Sequence, residues 1–600
     1  MRKYIVLIVW MFMACSKPAG NIADETIIAP VDMDKCVDEN GEALGFPVNQ
    51  FLVFTNEPHP RADRMRQLAA EWGVELVGQI PDMGIWQLQC DCQTQAELEA
   101  FMELAKQRSE VEFAAHNFLL DLQGSVQKSS HGGLCRAGGD LDALENDFRL
   151  ALDSVNYYST VILFDKIKEL ISLSPVNILV MDGQFCLDYL QSQFADIASG
   201  LQVVGVNGEA AKQQDAQFCG QPGYGHGSKV LGILAADDDD GGVSGLLKRT
   251  LSTDFLVDIA PALAGKKTGN DNGWGVHTME FFHGLHVADL RSAQVVNISM
   301  ASIWDIDHIN KICDNRTDEL KELKCINDKK TERMEVRNKV QQLFEENEDI
   351  LFVLAAGNHT LQIDKLISDP RLINLSFPQG IVSSKNNVIH VGAFDVPIKD
   401  TGVFGLWSGS NYSFGLARGL VTVYAPTSPP LLNNQSPDGL PVTITDDAGT
   451  SLSAPFVTAL VAMIRAISPD LTPKEIIEEI IIPTAGLPIE LPGGGLGRGI
   501  ILFDAVARAM IMRQPVSQDL LKTVDRNQDG ESDGAWLILV SGTLEMVRPP
   551  ENPDDPTPDP TIHEFEGYIQ TSFMLGDSEN GVPMQGLYDT LETYCFHGLQ

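Results

Sequence analysis

Gly449-Thr450-Ser451-Leu452-Ser453-Ala454-Pro455-Phe456-Val457 runs directly into Thr458-Ala459-Leu460-Val461-Ala462-Met463-Ile464. The second stretch is apolar and alanine-rich, the composition of a buried helix, so the helix begins near Ser451. The first N–H groups of a helix have no intrahelical acceptor. A serine oxygen placed there lies beside donors that stabilise negative charge on an oxygen. A serine that only caps the helix is the competing reading, and other segments decide between the two.

Gly225-His226-Gly227-Ser228-Lys229-Val230-Leu231-Gly232-Ile233 sets a histidine between glycines at the start of another apolar helical run. Small neighbours let the backbone bring the imidazole to a cleft, where a near-neutral group serves as general base. Val176–Met181 is a short apolar run ending at Asp182, and Leu354-Ala355-Ala356-Gly357-Asn358 is a second run ending in glycine and asparagine. Strand carboxyl ends in an open α/β sheet face the ligand crevice. With Val295–Ser299, Ile350–Ala355 and Val388–Ala393, these runs suit the buried strands of a parallel sheet. The expected fold class is α/β, a doubly wound parallel sheet with helices on both faces over residues 150–512.

Together these segments resemble the subtilisin-like serine proteases (subtilases, peptidase S8). Asp182, His226, Asn358 and Ser451 occur in the subtilisin order, which differs from the chymotrypsin and α/β-hydrolase orders. Val296-Asn297-Ile298-Ser299, Val391-Gly392-Ala393, Ala425-Pro426 and Leu471-Thr472-Pro473 add family-like pieces. The resemblance implies a serine endopeptidase with Asp182, His226 and Ser451 as catalytic triad and Asn358 in the oxyanion hole. It also implies substrate-binding segments at Ser299, Met300 and Ala301 and at Ala355, Ala356 and Gly357. Polypeptides are the implied substrates, and the chemistry needs no cofactor. Two departures stand out. The family places glycine two residues after the aspartate, where this chain has Gln184, and Ser299-Met300-Ala301-Ser302 replaces a glycine-ending segment. A catalytically silent subtilase fold acting as a binding or surface interaction protein is the alternative.

Residues 49–122 read as β-α-β-β-α-β, the split βαβ order. Ahead of a protease this resembles the small α+β, ferredoxin-like inhibitory propeptide of subtilases, which implies a zymogen with its own propeptide as intramolecular inhibitor. Val111–Leu122 would be the strand laid across the cleft, and the cut would fall in the linker, residues 123–149. Before this unit, Arg2-Lys3 and an apolar run reach Ala14-Cys15, which resembles a lipoprotein signal over residues 1–15, with Cys15 as the lipidated residue. An ordinary cleaved signal peptide is the other reading, since the run is short against the ~20 residues of a bilayer span. Residues 16–48 read as a tether. Either way the protein is expected outside the bacterial cytoplasm, as a cell-envelope lipoprotein or secreted.

A formal charge of −39, from 82 acidic and 43 basic residues, repels nucleic acid and anionic membrane surfaces. Nucleic acid is therefore excluded as a partner, and a membrane enters only through a lipid anchor. Cys313–Cys325 and Cys186–Cys219 are the disulfides to look for in an exported chain, and the spacings do not suit structural zinc. Trp304–Glu348 is charged, helix-favouring, and reads as an insertion. After Met512, residues 513–548 are acidic. There Asp525, Asn527, Asp529, Gly530 and Asp533 reproduce the opening of a calcium loop, but position twelve is Trp536 rather than glutamate. Structural calcium and a hydrated acidic turn stand as equal readings. Residues 549–561 read as a Pro-rich linker and 562–600 as a tail of unassigned fold.

Overall fold

The computed structural model describes residues 26–37, 44–57, 59–121, 148, 150–186, 201–206, 208–219, 225–236, 245–251, 255–262, 264–266, 274–300, 302–303, 313, 319–364, 376–377, 380–395, 404–414, 421–427, 432–435, 441–444, 448–513, 521–524, 535–546 and 561–571. The chain forms two units, Met1–Val506 and Ala507–Gln600.

The first unit begins with β1 (Gln50–Thr55), α1 (Ala62–Trp72), β2 (Glu75–Ile80), β3 (Ile85–Gln89), α2 (Gln95–Lys106) and β4 (Val111–His116). The strands form an antiparallel sheet in the order β2-β3-β1-β4. Met65, Leu68, Ala69 and Trp72 recur at helical spacing and form the buried stripe of α1. Helix α2 starts at Thr94, whose side chain accepts from the Glu97 N–H while Glu97 reaches back, a reciprocal capping box.

The rest of this unit runs β5 (Leu119–Asp121), α3 (Tyr157–Leu170), β6 (Val176–Asp182), β7 (Leu201–Val203), α4 (Gly208–Phe218), α5 (His226–Ala235), α6 (Leu246–Thr250), β8 (Phe255–Pro261), β9 (Ala264–Lys266), β10 (Trp274–His277), α7 (Thr278–Leu290), β11 (Val295–Ile298), β12 (Ser302–Ile303), α8 (Glu319–Glu346), β13 (Leu351–Ala355), β14 (Ser376–Phe377), β15 (Val388–Asp395), β16 (Phe404–Leu406), β17 (Val423–Pro426), β18 (Leu432–Gln435), β19 (Pro441–Ile444), α9 (Thr450–Ile467), β20 (Leu487–Glu490) and β21 (Leu496–Gly499). Ten strands share one sheet in the order β16-β20-β21-β17-β15-β13-β11-β6-β8-β7, and its run from β17 to β7 is parallel throughout. The chain enters at β6 and builds to β8 and β7 on one side, then to β11, β13, β15 and β17 on the other. The order therefore reverses between β6 and β11, where open α/β sheets place their ligand crevice. Helix α9 is buried at every position. By length and composition it could cross a membrane, but here it is a core helix.

Val111–Leu122 is not one strand. The chain turns at Asn117-Phe118, and β5 leaves the first sheet to pair antiparallel with β10, Leu119 opposite His277 and Asp121 opposite Gly275. The first turn of α7 causes the break, because its amides need acceptors. Asn117 Oδ1 accepts from the Met279 N–H at 3.0 Å, and the Phe118 carbonyl accepts from the Thr278 N–H at 2.8 Å and from its hydroxyl at 3.0 Å.

Within the charged segment read as an insertion, α8 spans 28 residues and forms a platform for the four-stranded sheet. Glu332 Oε1 lies 2.6 Å from His116 Nδ1, Lys329 pairs with Glu99 at 3.0 Å, and the Arg333 guanidinium sits 3.9 Å over the Phe118 ring. Burial resists the charge on Glu332, yet His116 and Lys329 beside it hold its carboxyl down to about 2. Both anticipated disulfides, Cys186–Cys219 and Cys313–Cys325, are formed, and Cys90–Cys92 is a third that the spacing did not announce. Cys36 is a buried thiol, pushed up to about 12 by burial and then by Asp32.

The second unit carries β22 (Leu521–Val524), β23 (Ala535–Met546) and β24 (Thr561–Thr571), antiparallel in that order. Strand β24 pairs with β23 from Trp536↔Thr571 to Met546↔Thr561. Residues up to Thr571 thus belong to a sheet rather than to a tail, because two long strands satisfy each other's backbone groups. The calcium-loop residues Asp525, Asn527, Asp529 and Asp533 lie outside the described residues, as does Cys15.

Candidate active site

Three adjacent strands, β6, β11 and β13, deliver their carboxyl ends to one place. Asp182 ends β6, fully buried, and His226 opens α5 at 1% exposure. The imidazole Nδ1 lies 2.9 Å and 3.1 Å from the two Asp182 carboxylate oxygens. A carboxylate only accepts, so Nδ1 carries the proton and Nε2 is the basic atom of the neutral ring. Nε2 is buried without a hydrogen-bond partner among the described residues. The Gly183 N–H donates to Asp182 Oδ1 at 2.7 Å and fixes the carboxylate.

Gly225, with φ of 105°, turns the chain into α5 through a left-handed conformation that side chains resist. Gly227 passes so close to Asp182's loop that an added Cβ would stand 2.5 Å from the Gly183 carbonyl. These are the small neighbours expected from the sequence. Gln184 takes the place where glycine was expected and adopts φ of 64°. Its strain is offset by position, since its Oε1 accepts from the His226 N–H at 3.3 Å.

Ser451 stands in the first turn of α9 at 6% exposure. Asn358, just past β13, accepts at Oδ1 from the Thr450 N–H at 2.9 Å and the Thr450 hydroxyl at 2.8 Å. Thr450 Oγ1 in turn accepts from the Gly357 N–H at 2.9 Å. Thr450 therefore fixes which way the Asn358 amide faces: Oδ1 is tied back and Nδ2 is left to donate. A Cβ on Gly449 would lie 2.9 Å from Asn358 Nδ2 and 3.1 Å from Ser451 Oγ. The two functional atoms thus flank one carbon-sized space that glycine keeps open. An oxygen developing negative charge there would meet the Asn358 amide and the helix N-terminus together.

Of the segments read as substrate-binding, Ser299 and Met300 are 1% exposed and Ala355 and Ala356 2%, while Ala301 lies outside the described residues. The main-chain groups of Ala356 and Gly357 already have protein partners. Ala356 N–H donates to Val391 O, Gly357 N–H to Thr450 Oγ1, and Asn411 bonds both carbonyls through its side-chain and main-chain N–H. Those bonds fix the loop that carries Asn358. Asn411 and Thr450 escaped the sequence reading. Thr450 was visible inside the serine motif, but nothing local marks Asn411.

A family model described as the subtilase family matches residues 198–531, a span that holds His226, Asn358 and Ser451 and begins after Asp182. Among solved structures, the epidermin leader peptide processing serine protease of Staphylococcus aureus is 15% identical. That match covers 76% of this chain and 97% of that one, with a TM-score of 0.44. Fervidolysin from Fervidobacterium pennivorans is 14% identical, over 90% of this chain and 81% of that one, with a TM-score of 0.46. The A-subunit of the AB5 toxin from E. coli is 17% identical, over 60% of this chain and 99% of that one, with a TM-score of 0.37. No curated protein matches. The family model spans more than half of the chain, and with it this protein belongs to the subtilase family of serine proteases.

Proposed function

We propose that the protein is a serine endopeptidase that uses Asp182, His226 and Ser451, with Asn358 and the Ser451 N–H as oxyanion donors. His226 Nε2 takes the Ser451 proton as Oγ attacks the scissile carbonyl, and Asp182 holds the ring and stabilises the imidazolium. Collapse of the tetrahedral intermediate breaks the C–N bond. The amine leaves with the proton from His226, and water activated by the same nitrogen releases the acyl group. One observation carries the reading: the space kept open by Gly449, bordered by Asn358 Nδ2 and Ser451 Oγ.

The four-stranded unit is then an inhibitory propeptide and the chain a zymogen. The antiparallel pairing of β5 with β10 supports this, because an extended segment bonded along a strand is how a peptide occupies a cleft. Export through the N-terminal signal and lipidation at Cys15 complete the proposal, together with structural calcium at Asp525–Asp533. Fluorophosphonate labelling of processed protein, mapped by peptide mass spectrometry, tests the central claim. An adduct on Ser451 that Ser451→Ala abolishes is expected, and no adduct on processed protein would overturn it.

A further inference from the structure

Helix α9 has a proline four residues after its serine. In a helix the Ser451 carbonyl should accept from the N–H of residue 455, and Pro455 has none. A buried carbonyl without a partner is costly, and the structure supplies one from outside the helix: Ser299 Oγ donates to the Ser451 carbonyl at 2.8 Å. Because a carbonyl only accepts, the Ser299 proton must point to it, and Ser299 Oγ accepts in turn from Asn297 Nδ2 at 2.8 Å. Asn297 Oδ1 then accepts from the Thr458 hydroxyl at 2.9 Å, the shorter branch of a proton shared with the Ala454 carbonyl at 3.1 Å. Thr458 is back on α9, so the bonds close a ring from the nucleophile's carbonyl through the end of β11 to the third turn of the same helix. Asn297, Ser299 and Thr458 are all at most 1% exposed.

We propose that Ser299 is a positioning residue for the nucleophile, replacing the hydrogen bond that Pro455 denies to Ser451. The inference rests on the proposed role of Ser451. Its function is geometric: the free carbonyl lets the first turn of α9 be tied to β11, so that Oγ is held relative to the strand ends that carry Asp182 and Asn358. Displacement of a reacting atom by a fraction of an ångström to an ångström lowers turnover by up to about 10²-fold.

The test uses the full-length, processed protein and two readouts, the rate of fluorophosphonate labelling and the kcat and KM for a fluorogenic peptide. Ser299→Ala should slow labelling and kcat about tenfold with KM within about twofold. Pro455→Ala restores a main-chain N–H at the helical position. In that background Ser299→Ala should cost less than about threefold, a departure from additivity that a packing defect would not produce. Thr458→Val, which loosens the ring without touching Ser299, should slow labelling about threefold and reports should Ser299→Ala fold poorly. Equal labelling by wild type and Ser299→Ala overturns the inference, as does the same loss with proline or alanine at 455. Failure of the wild type to label at Ser451 instead overturns the protease reading itself.

Discussion

Gly449→Ala separates the proposed oxyanion space from the fold. Gly449 has φ of 173° and ψ of 158°, an extended conformation that alanine adopts without strain. Only the added methyl matters. It would stand 2.9 Å from Asn358 Nδ2, closer than carbon contacts tolerate, and 3.1 Å from Ser451 Oγ, a tight contact. Asn358 cannot swing aside freely, because two bonds from Thr450 hold its oxygen. Either that clamp breaks and the amide leaves the space, or the methyl fills the position of the oxyanion. Both remove one donor. The corresponding loss measured in subtilisin is about 10²–10³ in kcat, or roughly 2.7–4 kcal/mol of transition-state stabilisation. Global stability should change by no more than about 1 kcal/mol, since a single methyl at a cleft wall is not core overpacking. Steady-state hydrolysis of a fluorogenic peptide and thermal unfolding of the same preparation check both halves. A variant that keeps kcat within about threefold of wild type would refute the assignment of this space to the oxyanion.

Asp182→Asn should lower kcat on the order of 10⁴-fold with the fold intact, because an amide favours the wrong tautomer of His226; wild-type turnover would remove Asp182 from the triad. Gln184→Gly relieves a left-handed residue worth about 1 kcal/mol but drops its bond to the His226 N–H. Thermal stability should hold or rise while kcat falls several-fold, and a rise in both would show that the bond positions nothing. Cys219→Ser opens a cross-link of sequence separation 33 and should cost about 3–4 kcal/mol on the chain-entropy account, read by denaturant unfolding; no loss would make the bridge ornamental. The buried His390 is pushed from 6.5 down to about 4, by burial and then by the charge of Arg337. It stays neutral in the fold while the unfolded chain binds a proton there, so its contribution is complete above pH 6.5 and is lost as pH falls through 4. His390→Leu should flatten the acid-side loss of stability by about 1.4 kcal/mol per pH unit across that window, and an unchanged slope counts against it.

The candidate site was legible because its motifs are local. A serine at a helix start, a histidine between glycines and an asparagine past a strand are each written within nine residues, and strand ends in a parallel sheet bring them together by topology. What was not legible depends on contacts across the sheet. Asn411 ties down the Asn358 loop from 53 positions beyond Asn358, and no periodicity announces such a bond. Ser299 was visible as part of a strand-end motif, but the motif cannot say which carbonyl its hydroxyl finds, here that of Ser451. The single strand read at Val111–Leu122 failed for a similar reason: the segment is extended at both ends, but the amides of α7, far along the chain, break it at Asn117.

Helix α8 shows how charge misleads when partners are distant. Its composition is that of a solvated surface helix, and periodicity alone gives no apolar stripe to bury. Yet Lys329, Glu332 and Arg333 are at most 5% exposed, because each meets a complementary group on the four-stranded unit: Glu99, His116 and the face of Phe118. Buried ionic groups tolerate loss of a partner poorly, since the remaining charge keeps its desolvation cost. If the four-stranded unit departs after processing, these groups must either reach water or change protonation. The platform is therefore matched to the unit it holds, and a charge pattern that reads as an insertion in isolation becomes an interface once that unit is docked.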